Sequence, residues 1–166
     1  ASPPNNPYFI TKGESKATAY YSSGGNNNRA TGDNASGCDL QGAYAIGNHW
    51  ALTTGYFNRR ERDVYNFGSS NESSTINYKR NLFDLGSGYF VALDKNKEFT
   101  FNLYGGIALG KFSFIDNKTY YSRFHSSSIT KWYFQPSVNF VPTQNFRLSF
   151  GTKFSFVHYG DIQTSY

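Results

Sequence analysis

The stretch FTFNLYGGIALG, residues 99–110, consists of two interleaved rows of side chains. Its odd-numbered positions are apolar except for Gly105, and its even-numbered positions are small or polar except for Tyr104. A period of two residues is the signature of a β-strand, because successive side chains of a strand point to opposite faces of the sheet. The stretch therefore predicts a strand with one apolar face, and the medium that this face contacts decides the class of protein.

The same alternation recurs along the chain. Including one weaker stretch near the start, it predicts seven strands, at residues 15–23, 40–47, 50–57, 83–93, 99–110, 132–140 and 145–156. Tight turns are expected at 47–49, 95–98 and 142–145, and longer polar connections at 24–37, 68–74 and 115–119. Tight and long connections alternate strictly, which predicts an antiparallel up-and-down sheet whose tight turns all lie at one end.

The composition narrows the class further. Aromatic residues make up 19% of the 166 residues and charged residues only 16%, against ~25% charged in a typical soluble domain. Few charges and many aromatic residues argue against a disordered chain. The single cysteine, Cys38, excludes an intrachain disulfide. The net charge is +5, but the basic residues are scattered instead of forming one face, so no nucleic-acid partner is expected.

Two barrel architectures could use such strands. A soluble ligand-binding barrel points its apolar row inward, whereas a transmembrane barrel turns it towards lipid. In a soluble barrel the opposite row faces water, yet here that row carries only Asp84, Arg147 and Lys153 as charged residues in the central zone. The apolar rows also run about 9–11 residues, which is the length of a strand that crosses a bilayer. We therefore expect these side chains to face lipid: Phe99, Phe101, Leu103, Ile107, Leu109, Phe134, Val138, Phe146, Leu148 and Phe150.

Closure of this sheet requires a further strand. Single-chain bacterial barrels have an even number of strands, and residues 160–166 are predicted to enter a fourth long loop. The expected architecture is an all-β, antiparallel, up-and-down transmembrane β-barrel with eight strands, either C-terminally incomplete here or closed by another subunit. Residues 1–12 are predicted as an N-terminal extension and 13–166 as the barrel domain. The start ASPPNNP, without methionine, predicts a processed chain whose signal peptide has been removed.

Candidates for catalysis are few. His49, His125 and His158 are predicted at different heights or on different faces of the barrel, with Asp161 and Ser126 as further polar residues near the rim. Nothing in the sequence holds these groups in the nucleophile, base and orienter arrangement that catalysis needs. No enzymatic activity, cofactor or metal site is expected.

Two groups of polar residues are candidates for other roles. Asp84 and Lys153 are predicted at similar heights on strands that lie nearly opposite in an eight-stranded barrel. We hypothesise that they form an ion pair, direct or through water, that stiffens the lumen, because buried charges persist mainly when paired. Basic and aromatic residues after the third strand are candidates for contacts with partners in the outer loops: Arg59, Arg60, Arg62 and Tyr65.

Five segments resemble the small outer-membrane β-barrel proteins of Bacteroidota-type envelopes: GESKATAYYSSG (13–24), DLQGAYAIGNHWALTTGYF (39–57), FDLGSGYF (83–90), FNLYGGIALGKF (101–112) and WYFQPSVNF (132–140). The resemblance implies a surface-exposed barrel of about eight strands in the bacterial outer membrane. We expect a non-enzymatic structural or accessory subunit. Its expected partners are outer-membrane lipid, lipopolysaccharide and, in a complex, other outer-membrane proteins. A narrow pore and a soluble lipocalin-like ligand-binding barrel are the alternatives.

Overall fold

A computed structural model describes residues 7–26, 33–66, 73–118, 121–143 and 146–165. Its strands are β1 (Ser15–Asn26), β2 (Asp33–Ala45), β3 (Trp50–Asn66), β4 (Ser73–Ala92), β5 (Phe99–Lys118), β6 (Tyr121–Thr143), β7 (Phe146–Gly151), β8 (Phe154–Tyr159) and β9 (Gln163–Ser165). Within these residues, no helix is both long enough and apolar enough to cross a membrane.

The strands form one antiparallel sheet in chain order. Each of β1 to β6 pairs with the strand that follows it, and β7, β8 and β9 all pair with β6. The pairs Ser137–Gly151 and Phe134–Phe154 have the same register, so β7 and β8 continue along one edge. The predicted all-β, antiparallel, up-and-down sheet is confirmed, with seven strand paths.

The strands are longer than their alternation indicated. The predicted connections at 24–37, 68–74 and 115–119 were wrong where β1, β2, β4 and β5 occupy them, and residues 27–32, 67–72 and 119–120 lie outside the described residues. The residues of β1, β2 and β4 that lie within these connections are small or polar on both faces, so no period of two is visible there. Backbone pairing nevertheless continues there, as in the register from Trp50–Tyr89 to Asn66–Ser73.

Two further boundaries differ from the prediction. Residues 163–165, expected in a loop, pair with β6 as β9, because β6 is long enough to offer them backbone partners. The turn expected at 142–145 is shorter, since β6 extends to Thr143 and β7 begins at Phe146. Residues 144–145 of that turn lie outside the described residues.

Burial in this sheet is the reverse of that in a soluble core. Polar side chains such as Asn102, Gln135 and Asn139 are at most 1% exposed. In contrast, Leu148 and Phe150 in the apolar row are 60% and 80% exposed. The sheet therefore has a buried polar face and an exposed apolar face.

The sheet is open along two edges. In the described part of the chain, β1 and the β7–β9 edge are not paired with each other or with a further strand. Seven antiparallel paths place the first and the last in the same direction. One strand that runs the opposite way would pair both edges in antiparallel fashion, and the predicted eighth strand would have this direction.

The N-terminal segment 7–9 packs against the polar face at the end with the tight turns. The ring of Phe9 is fully buried, with its centroid 5.5 Å from that of Phe90. The hydroxyl of Tyr104 donates a hydrogen bond to the carbonyl oxygen of Pro7 at 3.4 Å. These rings form a small hydrophobic cluster with Ala43, Ala45 and Ala51. The predicted N-terminal extension thus contributes to the core.

A compact turn leads from this segment into β1. Gly13 adopts φ +90°, a conformation that favours glycine, and its N–H donates to the carbonyl oxygen of Ala45 at 2.8 Å. The Oε1 atom of Glu14 accepts hydrogen bonds from the backbone N–H groups of Ile10 and Thr11 and from the Thr11 hydroxyl. Partial burial raises the pKa of Glu14, but these hydrogen bonds outweigh it, so the pKa lies below its usual value.

Candidate functional site

Four charged side chains lie near one another in the middle of the polar face of the sheet. They are Asp39 on β2, Asp84 on β4, Lys131 on β6 and Lys153 between β7 and β8. Asp39 and Lys131 are only 5% and 8% exposed. Two carboxylates and two ammonium groups balance in charge, which is the condition under which buried charges are tolerated. We call these four residues the lumen cluster.

Tyr133 on β6 connects two members of the lumen cluster. Its hydroxyl donates to Oδ1 of Asp84 at 3.5 Å, and the Lys153 ammonium lies 4.2 Å from the centre of its ring. An ammonium group over an aromatic ring is stabilised by the electrons of the ring face. The structure thus brings Asp84 and Lys153 together around Tyr133, and their pairing as ions remains a prediction.

Glycines on the polar face make room for two tyrosine rings. A Cβ at residue 88 would lie 2.1 Å from Cδ1 of Tyr104, and one at residue 86 would lie 2.6 Å from the Tyr133 hydroxyl oxygen. Neither distance is compatible with ordinary atomic contacts. The absence of a side chain at Gly86 and Gly88 therefore leaves the space that Tyr133 and Tyr104, respectively, occupy.

Three lumen residues were missed by the sequence analysis. Asp39 and Lys131 immediately precede the predicted strands 40–47 and 132–140, and both are odd-numbered like the polar rows of those strands. Tyr133 was assigned to the polar row of its strand without a role. Extending each of the two predicted strands by one residue towards its polar end would have included both charged residues.

The histidines are not gathered into one site. Nδ1 of His49 lies 3.2 Å from the carbonyl oxygen of Phe90 at the turn end. His125 contacts Thr164 through Nδ1 at 2.9 Å, and His158 is paired across the sheet with Thr130. Their surroundings differ, so the structure does not combine them.

Ser126 and Asp161 line a small cavity near the loop end, of about 320 Å³, together with Lys111. None of the three histidines lines this cavity. Among the described residues, no group of three or more histidine, cysteine, aspartate or glutamate side chains could hold a metal ion.

The predicted contact residues after the third strand lie on β3 itself and not in a loop. The strand continues because its backbone stays paired with β4 as far as Asn66. Alternation then separates them, since Arg59 and Tyr65 project from the polar face and Arg60 and Arg62 from the opposite face. The four residues therefore cannot form a single contact surface.

Arg59 and Arg80 are cross-strand partners on the polar face. Arg59 forms an ion pair with Glu61, and the Arg80 guanidinium lies 5.5 Å from the centre of the Phe112 ring. Tyr78 stacks on Phe112 with centroids 6.2 Å apart, so the loop end of this face is a cluster of arginine and aromatic groups.

Comparison of the chain with protein-family models, with curated proteins and with solved structures finds no match.

Proposed function

We propose that this chain is a non-enzymatic β-barrel of the bacterial outer membrane that works as a structural or accessory subunit. The observation that carries the proposal is the reversed burial of the sheet, with apolar side chains exposed and polar side chains buried. In water such an exterior is costly, because each large apolar side chain left exposed forgoes ~1.5–3 kcal/mol of burial free energy. Acyl chains remove this cost, and they favour a closed sheet in which all backbone groups are paired.

The upper limit of the apolar face supports this proposal. Tyr56, Phe83 and Leu109 are cross-strand partners at its edge. The next positions on the same face of these strands are polar or charged: Asn58, Asn81 and Lys111. An abrupt change along three paired strands is expected where a barrel leaves the hydrocarbon layer.

The two tryptophans fit the same arrangement. Trp50 and Trp132 are 54% and 59% exposed and lie on the apolar face. Trp50 begins β3 at the turn end, whereas Trp132 lies next to the polar upper part of β6. Tryptophan is enriched at both membrane interfaces, because its ring is apolar and its N–H can bond to water or headgroups.

Packing of the polar face favours an accessory role over conduction. Phe9, Phe90 and Tyr104 fill its turn end and are at most 2% exposed. Lys131 and Tyr133, each 8% exposed, occupy its middle. Side chains fill the interior of a barrel of about eight strands in the same way.

The upper strands are the surface offered to other proteins. β3 runs ten residues beyond Tyr56, from 57 to 66, which is about 30 Å along the strand. This polar part of the sheet would project from the membrane and is the surface on which we place contacts with other outer-membrane proteins.

Flotation with phosphatidylcholine vesicles tests the proposal, followed by planar-bilayer recording of the inserted protein. We expect the refolded protein to float with the vesicles after a urea wash and to give no steady channels. Protein that stays in the aqueous fraction without detergent would support the soluble ligand-binding barrel instead. Insertion with steady channels would support the narrow pore.

A further inference from the structure

Three basic residues lie together on the face that carries the apolar row. Arg60, Arg62 and Lys79 are exposed, and they have the same parity in their strands as Tyr56 on β3 and Phe83 on β4. The β3–β4 register is continuous from Trp50–Tyr89 to Asn66–Ser73, so this parity is not interrupted by a bulge. We call these three residues the basic patch.

The basic patch contains like charges in direct opposition. Arg60 and Lys79 are cross-strand partners. Like charges directly opposite each other in a sheet are destabilising. Glu61, Asp63 and Asp116 have the opposite parity, so their side chains leave the strands on the other face of the sheet.

The positive charges of Arg59 and Arg80, the neighbouring cross-strand pair, have partners within the chain. On the polar face, Arg59 is paired with Glu61 and Arg80 lies over Phe112. Among the described residues, no hydrogen bond, ion pair or ring contact is made by the side chains of Arg60 and Lys79. Their charge is therefore available to an anion from outside the chain.

The basic patch lines a groove of about 920 Å³ that has apolar members as well. Ile115 and Phe124 are cross-strand partners and line the same groove. Glu61 also lines it, with its carboxylate engaged by Arg59. Basic groups beside apolar side chains match an amphipathic anion better than a simple inorganic one.

We propose that the basic patch binds the phosphate groups of anionic lipid headgroups. The inference rests on the proposed function, because it places the groove just beyond the edge of the hydrocarbon layer. There the acyl chains of a lipid would cover the apolar face and its headgroup would reach Arg60, Arg62 and Lys79. Arginine and lysine recognise phosphate through charge-assisted hydrogen bonds.

Native mass spectrometry of the detergent-solubilised protein tests this proposal. The titrants are short-chain phosphatidic acid, phosphatidylcholine of the same chain length, and inorganic phosphate. Each basic residue near an anionic membrane surface contributes about fivefold in affinity, so the double variant R60Q/K79Q is expected to bind phosphatidic acid roughly 25-fold more weakly. The matched control is K12Q/K95Q, which removes two exposed positive charges at the turn end.

The proposal predicts that the wild type and K12Q/K95Q bind phosphatidic acid equally, and that R60Q/K79Q alone is weakened. An equal loss in both double variants, or no loss in either, would overturn it. Inorganic phosphate that binds as tightly as phosphatidic acid would overturn the assignment to a lipid. Vesicle flotation of R60Q/K79Q separates the two proposals: if the variant floats but binds lipid like the wild type, only the basic-patch proposal fails.

Discussion

Replacement of Gly88 by alanine tests how the polar face is packed. The new Cβ would lie 2.1 Å from Cδ1 and 2.6 Å from Cε1 of Tyr104, and 2.7 Å from the backbone oxygen of Leu103. Carbon atoms in ordinary contact are ~3.5–4.0 Å apart, so the ring would have to retreat by more than about 1 Å. Tyr104 is 2% exposed and packs in the cluster that contains Phe9 and Phe90, so this movement would displace the N-terminal segment.

Overpacking of this kind costs ~1–3 kcal/mol. Alanine also restricts the unfolded chain relative to glycine, which stabilises the protein by ~0.4–1 kcal/mol. We therefore expect Gly88→Ala to lower the free energy of unfolding by about 1–2 kcal/mol. Gly105→Ala is the matched control, because its Cβ would meet only the carbonyl oxygen of Tyr133, at an ordinary 3.5 Å.

The measurement is guanidinium-induced unfolding in detergent micelles, followed by tryptophan fluorescence. Gly105→Ala should be as stable as the wild type or slightly more stable, and Gly88→Ala less stable. Equal stability of the two alanine variants would refute the packing of Tyr104 over residue 88. Increased proteolysis of the N-terminal segment in Gly88→Ala alone would trace the loss to the displaced ring.

Three further predictions concern charge. Lys153→Met should lower the melting temperature in detergent, because it removes the cation over Tyr133 and leaves the carboxylates of Asp39 and Asp84 with one ammonium group. The expected loss of stability is at least about 2 kcal/mol. An unchanged melting temperature would rule out this role. The pKa of Glu14 is lowered in the folded protein. Its contribution to the free energy of unfolding is therefore complete above its unfolded pKa and is lost as the pH falls through the folded pKa. Acid should release the N-terminal segment to proteases, and Glu14→Gln should remove that part of the pH dependence. Leu103→Lys should reduce stability in bilayers by ~2–4 kcal/mol, whereas Asn117→Lys, on the same face of β5 beyond the apolar row, should have little effect. The measurement is unfolding of both variants from lipid vesicles. Equal effects of the two substitutions would contradict the contact of Leu103 with lipid.

The arrangement of the sheet follows from local sequence because the two faces differ in chemistry at every step. In 99–110 each row has a single exception, Gly105 or Tyr104, and the structure exposes Leu103 and Leu109 while it buries Asn102 and Tyr104. The antiparallel order follows equally directly, since three short turns leave few ways to connect successive strands. Strand direction and facing are thus encoded locally.

The ends of the strands are not encoded in this way. Residues 58–63 of β3 are polar on both faces, so their extended conformation depends on backbone pairing with β4, which no side-chain period reports. Packing of Phe9 against Phe90 joins residues far apart in the chain, and a short apolar segment does not specify its partner. The lumen cluster likewise depends on register between strands, which places Lys153 and Asp84 near Tyr133.

Tryptophan quenching in lipid vesicles tests most directly whether the apolar face contacts lipid. In a Trp50→Phe variant, Trp132 is the remaining tryptophan and can be excited selectively, and its side chain is 59% exposed on the apolar face. We predict that lipids brominated on their acyl chains will quench Trp132 strongly and that aqueous acrylamide will quench it weakly. Strong quenching by acrylamide with no effect of the brominated lipids would contradict the account.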